Sequence, residues 1–262
     1  DTWYRVETDH TGLCRINGNQ LEQAGLLLAD LPSRSLRLFN GGGLPLSVDN
    51  DDPRPTLEEV AIIVRDGGAG IFNSSDYILF LSESVDRWQY FEIGGRYFLN
   101  NLYDDANTYW LTTTDGNGLR MAERPATPGG TADTTVAVYD RWIHVEQDNM
   151  LRQFNTGKIL DYFIWYWSNA STVEFSVDAP GIVGDSVARV NIQAQTYPQP
   201  GADQAGYVRM TVEGLEAERL SANQFNTRFE VANFVDGLNE VRLSMQGSSL
   251  IKPYLDFLNI NY

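Results

Sequence analysis

The feature that most constrains this chain is the spacing of its turn residues. Asn40-Gly41-Gly42-Gly43, Asp66-Gly67-Gly68, Gly94-Gly95, Asp115-Gly116-Asn117-Gly118 and Pro128-Gly129-Gly130 interrupt it again and again. Short apolar segments between frequent Gly, Asn, Asp and Pro breaks are the rhythm of an all-β protein rather than a helical one. Ser35–Phe39, Val60–Val64 and Tyr77–Leu81 are β-branched or aromatic runs. The last two, apolar on both faces, are expected as central buried strands. Two short helices are expected, one from a cap-like Asn17 to Gly25 and one over Asp148–Phe154.

Beyond residue 160 the period becomes a clean two. Val173, Phe175 and Val177 alternate with polar neighbours, as do Ala188, Val190, Ile192 and Ala194, then Val208, Met210 and Val212, then Val241, Leu243 and Met245. Such segments are half-buried antiparallel strands. Phe175, Val190, Val212 and Leu243 are the expected inward positions. Several of them within about a hundred residues describe a β-sandwich. The expected architecture is therefore mainly β, with two β-sandwich-like domains, residues 1–157 and residues 158–262. The second is jelly-roll or immunoglobulin-like, and the boundary falls at Asn155-Thr156-Gly157-Lys158.

Thirty-five acidic side chains against nineteen basic ones leave a formal charge of −16. That balance repels nucleic acid and anionic membrane surfaces at long range. No apolar run approaches membrane-spanning length; Tyr162–Trp167 is far too short. With a single cysteine, Cys14, no internal disulfide can form. Its setting, Gly12-Leu13-Cys14-Arg15-Ile16, reads as that of a buried free thiol.

Nucleophilic catalysis needs a Ser or Cys held against a base. His10 lies four residues from Cys14 in the turn-like Asp9-His10-Thr11-Gly12, but catalytic pairs are usually assembled from distant sequence, so closeness along the chain is not evidence. His144, in Arg141-Trp142-Ile143-His144-Val145-Glu146, shares a strand face with Trp142 and Glu146, the setting of a structural histidine. No nucleophile elbow, phosphate loop or zinc spacing appears. Asp49, Asn50, Asp51 and Asp52 form the densest oxygen cluster and are the candidate ligands for Ca²⁺; an acidic surface turn is the plainer reading. In the aromatic run Tyr162–Trp167 core packing is the plainer reading, and Trp165 and Trp167 are the candidates for the alternative, stacking on a sugar.

Several segments, taken in order, resemble a known family. Trp3-Tyr4-Arg5-Val6 and Thr11–Ile16 are followed by Leu36–Pro45 with its glycine-rich turn, Glu59–Ile62, Asp76–Phe80 and Trp88. Asn101–Asp105, Tyr109–Leu111, His144–Asn149, Asn155–Lys158 and Tyr254–Tyr262 complete the series. Their order and spacing resemble the non-catalytic β-domain region that precedes the catalytic domain in gingipain-type cysteine peptidases, particularly the PorU-like sortases of type IX secretion. The resemblance implies an extracellular accessory region, on the cell surface or associated with the outer membrane. Its partner would be a caspase-like peptidase domain of the same full-length chain, and secreted protein substrates could dock on its edges. It carries no catalytic residue into this segment, which is expected not to be an enzyme, and it supplies no role for Cys14. The alternative is a carbohydrate-binding or adhesion module with glycan partners.

Overall fold

The computed structural model describes residues 2–47, 49–91, 95–126, 130, 134, 137–147, 149–153, 161–167, 172–184, 187–198, 207–221, 227–231, 234–246 and 251–262. For residues 91, 150–153, 161–164, 166–167, 193–198, 207–208, 216–221, 227–229, 231, 245–246 and 251–254 only the backbone is described. The protein is mainly β, as its turn rhythm requires, and it divides into two compact units, Asp1–Ala132 and Asp133–Tyr262.

The first unit contains β1 (Tyr4–Thr8), β2 (Gly12–Asn17), α1 (Gly18–Gln23), β3 (Leu36–Asn40), β4 (Glu58–Val60), β5 (Ile62–Arg65), β6 (Tyr77–Ser82), β7 (Arg87–Phe91), β8 (Gly95–Leu99) and β9 (Asn107–Thr113). Two antiparallel sheets, β1-β9-β3-β4 and β2-β6-β5, enclose the core, and β7 and β8 form a separate pair. Leu36, Leu38 and Leu111 from one sheet meet Ile16, Ile62, Ile78 and Phe80 from the other, and the first helix adds Leu21. This burial of aliphatic and aromatic area is the main stabilising term.

The expected first helix is present. Asn17 caps it, its backbone N–H donating to Gln20 Oε1 at 2.9 Å, and Gly25 leaves it at φ +95°. The run Val60–Val64, expected as one central strand, is two: β4 pairs with β3 in one sheet and β5 pairs with β6 in the other, with Ala61 between them. β6 is central as expected, with Ile78 and Phe80 buried, but only on one face. Leu81 on its other face is 55% exposed and stands opposite Leu13, itself 63% exposed.

The second unit contains β10 (Trp142–Glu146), β11 (Met150–Gln153), β12 (Asp161–Ile164), β13 (Tyr166–Trp167), β14 (Thr172–Ala179), β15 (Ala188–Pro198), β16 (Tyr207–Val212), β17 (Leu215–Ser221), β18 (Thr227–Val231), β19 (Gly237–Gln246) and β20 (Ile251–Asn261). One sheet runs β10-β20-β15-β18, with β13 also on β20; the other runs β14-β19-β16-β17. Val190, Val212 and Leu243 are buried between them, and Phe175 packs against the same cluster. The period-two positions whose side chains are described thus mark the inner faces; the side chains of Ala194, Val208 and Met245 lie outside the described residues. The helix expected over Asp148–Phe154 is instead β11, paired with β12 from Met150↔Ile164 to Gln153↔Asp161. One or two turns of helix are marginal on their own, whereas a paired strand satisfies its backbone across the ladder. Residues 155–158, the expected boundary, lie outside the described residues. β10, which precedes them, pairs along its whole length with β20 and belongs to the second unit.

Candidate functional site

β1 and β2 lie at the edges of the two sheets of the first unit, and the chain passes between them through Asp9, His10 and Thr11. That turn is pinned from β6 and the residues after it. Ser82 Oγ donates to the carbonyl of His10 at 2.7 Å, and the backbone N–H of Ser84 donates to Thr11 Oγ1 at 2.8 Å. The pinning brings together side chains that sequence reasoning had set aside. Cys14 Sγ lies 3.6 Å from His10 Nε2, and His10 Nδ1 lies 2.9 Å from Asp9 Oδ1. The hydrogen bond from His10 holds the Asp9 carboxyl below the usual carboxylate range. On its other side Cys14 Sγ donates to Ser82 Oγ at 3.1 Å. The thiol stands in a cleft of about 500 Å³ along the open seam between β1 and β2, floored by α1 and Phe80. The sequence signal was present, Asp9, His10 and Cys14 at i, i+1 and i+5. What it lacked was the turn geometry, fixed by residues about seventy positions away.

Asp49, Asn50, Asp51 and Asp52 occupy an exposed turn. Asp49 Oδ1 accepts the backbone N–H of Asp51 at 3.0 Å, Asp52 accepts from the Ser47 hydroxyl, and Asn50 Oδ1 accepts from Arg54 at 3.0 Å. These oxygens hold the turn. Among the described residues no group of three or more His, Cys, Asp and Glu side chains converges as a metal site.

Trp165 is 6% exposed and packs on Phe175, ring centroids 4.6 Å apart. Its ring faces the core, as the core-packing reading expected, and offers no stacking surface, which removes the sugar-stacking alternative for that residue; the side chain of Trp167 lies outside the described residues. His144 is structural, as its strand setting suggested. Nδ1 meets Asn259 Oδ1 at 2.7 Å and Nε2 meets Glu146 Oε2 at 2.6 Å, while Ile143 and Val145 pack on the core from the opposite face.

A second cleft, of about 620 Å³, opens at one end of the second unit and is lined by Val138, Tyr139, Arg141, Val183, Val187 and Tyr262 among others. Tyr139 is 79% exposed. Tyr262 is held in place by its hydroxyl, which donates to the carbonyl of Pro180 at 3.1 Å, and burial raises that hydroxyl above the usual tyrosine range. Sequence alternation could not find this cleft, because its residues come from loops and strand ends. Among the described residues no helix is long and apolar enough to cross a membrane.

The fold and these two clefts define a mainly β chain of two sandwich units. No family model matches it, and no curated protein sequence matches it. Among solved structures, dimeric latent PorU from Porphyromonas gingivalis aligns with 99% of this chain at a TM-score of 0.68 and 15% identity. The likeness shows a shared fold, and the chain spans 24% of that protein's length. A carbohydrate-binding module of family 36 in complex with calcium and xylotriose aligns with 45% of this chain and 98% of its own, at TM-score 0.28 and 15% identity. A family 35 module from Cellvibrio japonicus Abf62 aligns with 46% of this chain and 92% of its own, at 0.30 and 16%. At those TM-scores neither module supports a reading of this chain.

Proposed function

We propose that this chain is a non-catalytic accessory region that precedes and positions a gingipain-like cysteine peptidase of the type IX secretion sortase kind, on the cell surface or at the outer membrane. One observation carries the reading: the fold of PorU is matched over 99% of this chain by a segment amounting to 24% of that longer protein. The ordered sequence segments point the same way. The outer face of the β2-β6-β5 sheet supports it physically, since Leu13 and Leu81 stand opposite one another and exposed, as a surface that packs on a neighbouring domain requires. The test is to produce the full-length protein with and without residues 1–262. A peptidase domain that loses folding, localisation or substrate cleavage with the deletion supports an accessory role, and one that performs as the whole protein does overturns it.

The cleft of the second unit favours a second reading, a glycan-binding module, because an exposed tyrosine beside apolar side chains is a stacking platform. Tyr139 takes the part that Trp165 cannot. Binding on a broad glycan panel that is lost with Tyr139→Ala supports this reading; flat curves across the panel remove it. Calcium at Asp49, Asn50, Asp51 and Asp52 is a proposal attached to it. It is tested by melting the protein with and without calcium, where a shift abolished by Asp49→Asn supports a bound ion.

A further inference from the structure

We infer that Cys14 is a nucleophilic thiol, with His10 as its base and Asp9 orienting the ring, and that it forms a mixed disulfide with small apolar disulfides entering the seam between β1 and β2. The inference is independent of the accessory role.

The geometry assigns the parts. An ionised carboxylate only accepts, so the 2.9 Å contact with Asp9 fixes the proton of His10 on Nδ1 and leaves the lone pair of Nε2 facing the thiol. At 3.6 Å from Sγ, Nε2 is placed to take the thiol proton; such contacts are often long before a ligand binds. Ser82 Oγ, 3.1 Å from Sγ, accepts the thiol hydrogen at rest, while its own hydrogen stays on the carbonyl of His10 and holds the turn. Nucleophile, base and orienting group are the three parts that such a site needs.

The surroundings point to a ligand and to its class. Tyr4 and Val6 on β1, Ile16 on β2, Leu21 on α1 and Phe80 on β6 line the cleft, whose volume of about 500 Å³ lies in the range of small-molecule sites. Arg5, Glu7, Arg15 and Gln20 also border the cleft, but Arg5 pairs with Glu7, Arg15 donates to Asn17, and Gln20 Oε1 accepts from the backbone N–H of Asn17. With those groups engaged, the apolar side chains are left to meet a ligand, which suits a neutral molecule better than a highly charged one.

The step balances as thiol–disulfide exchange. Nε2 takes the proton of Cys14, and the thiolate attacks one sulfur of the disulfide. A new S–S bond forms to Cys14 as the old one breaks, and the departing thiolate takes the proton from the imidazolium. Cys14 is oxidised to a mixed disulfide, and half of the incoming disulfide is reduced to a free thiol.

The test uses 4,4′-dithiodipyridine, a neutral aromatic disulfide, at pH 7, followed by absorbance and by intact mass. Because Cys14 is the single cysteine, every adduct is assigned without ambiguity. The folded chain is expected to react faster than the same chain unfolded in urea by roughly tenfold, within the ceiling of about thirtyfold set by a free thiol that is only about 3% thiolate at pH 7. His10→Ala should remove that advantage and Asp9→Asn should reduce it. Both residues are largely exposed, with 62% and 83% of the side chain accessible, so the variants should keep the native melting temperature. Oxidised glutathione, polar and charged, should show a smaller advantage. A folded chain that reacts no faster than the unfolded one, or a His10→Ala variant that reacts as the wild type does, overturns the inference.

Discussion

Glu59 ties three pieces of the first unit together. It sits on β4, accepts from Arg37 on β3, and accepts the backbone N–H of Leu119 at 2.6 Å. The hydrogen bond from Arg37 holds its carboxyl below the ordinary value of 4.5. A carboxylate held down in the folded state adds stability above its unfolded pKa, and that stability is lost as pH falls through the lower folded value. Thermal melts below about pH 4.5 should therefore show the first unit weakening. Glu59→Gln should flatten that acid dependence and, at neutral pH, cost about 1.5–3 kcal/mol, the range for a hydrogen bond to a charged group. In the second unit Val190 is fully buried, and Val190→Ala should cost about 2–3 kcal/mol from lost burial and the cavity left behind. Glu230→Ala, on the paired strand with 68% of its side chain exposed, should stay within about 0.5 kcal/mol. A similar loss at both positions in chemical denaturation would show the inward phase of β15 to be wrong. At this scale the period of two made Val190, Val212 and Leu243 legible in advance. The contact of Cys14 with His10 was not, because hydrogen bonds from Ser82 and Ser84 shape the turn and no local pattern announces them.

At the scale of elements, the first helix was legible because a cap-like Asn and a Gly bracket it, and its start is set by close packing. A Cβ added at Gly18 would come within 2.1 Å of the carbonyl oxygen of Asn73, while the backbone N–H of Gly18 donates to Asp76 at 2.8 Å. Gly18→Ala must move backbone rather than a flexible side chain, and should lower stability by about 1–3 kcal/mol or more. Gly25→Ala has open space around its Cβ but a φ of +95°, so its loss comes from backbone strain alone. Equal melting temperatures for Gly18→Ala and the wild type would contradict that packing. The split of Val60–Val64 between two sheets was hidden because no turn residue marks Ala61. A continuous apolar run reads the same whether one strand or two carry it. β11 was misread as helix for a related reason: four residues carry too few periods to tell 3.6 from 2.

For the whole molecule, the sequence made the mainly β class and the second sandwich legible. The division between the units was harder to see, because β10 lies at one end of its unit's sequence and pairs with β20 at the other. Strand partners so distant leave no local trace. A fragment of residues 133–262 should therefore fold and melt cooperatively. A fragment beginning at residue 158 loses β10, uncovers the edge of β20 and the core contacts of Ile143 and Val145, and should melt at a lower temperature or aggregate. Equal stability of the two fragments would place β10 outside the cooperative unit. The accessory role is tested most directly by reading the coding sequence beyond the codon for Tyr262. Expected there is an alternating βα peptidase domain that carries its own cysteine and histidine. A stop codon, or only further β modules, would contradict the role.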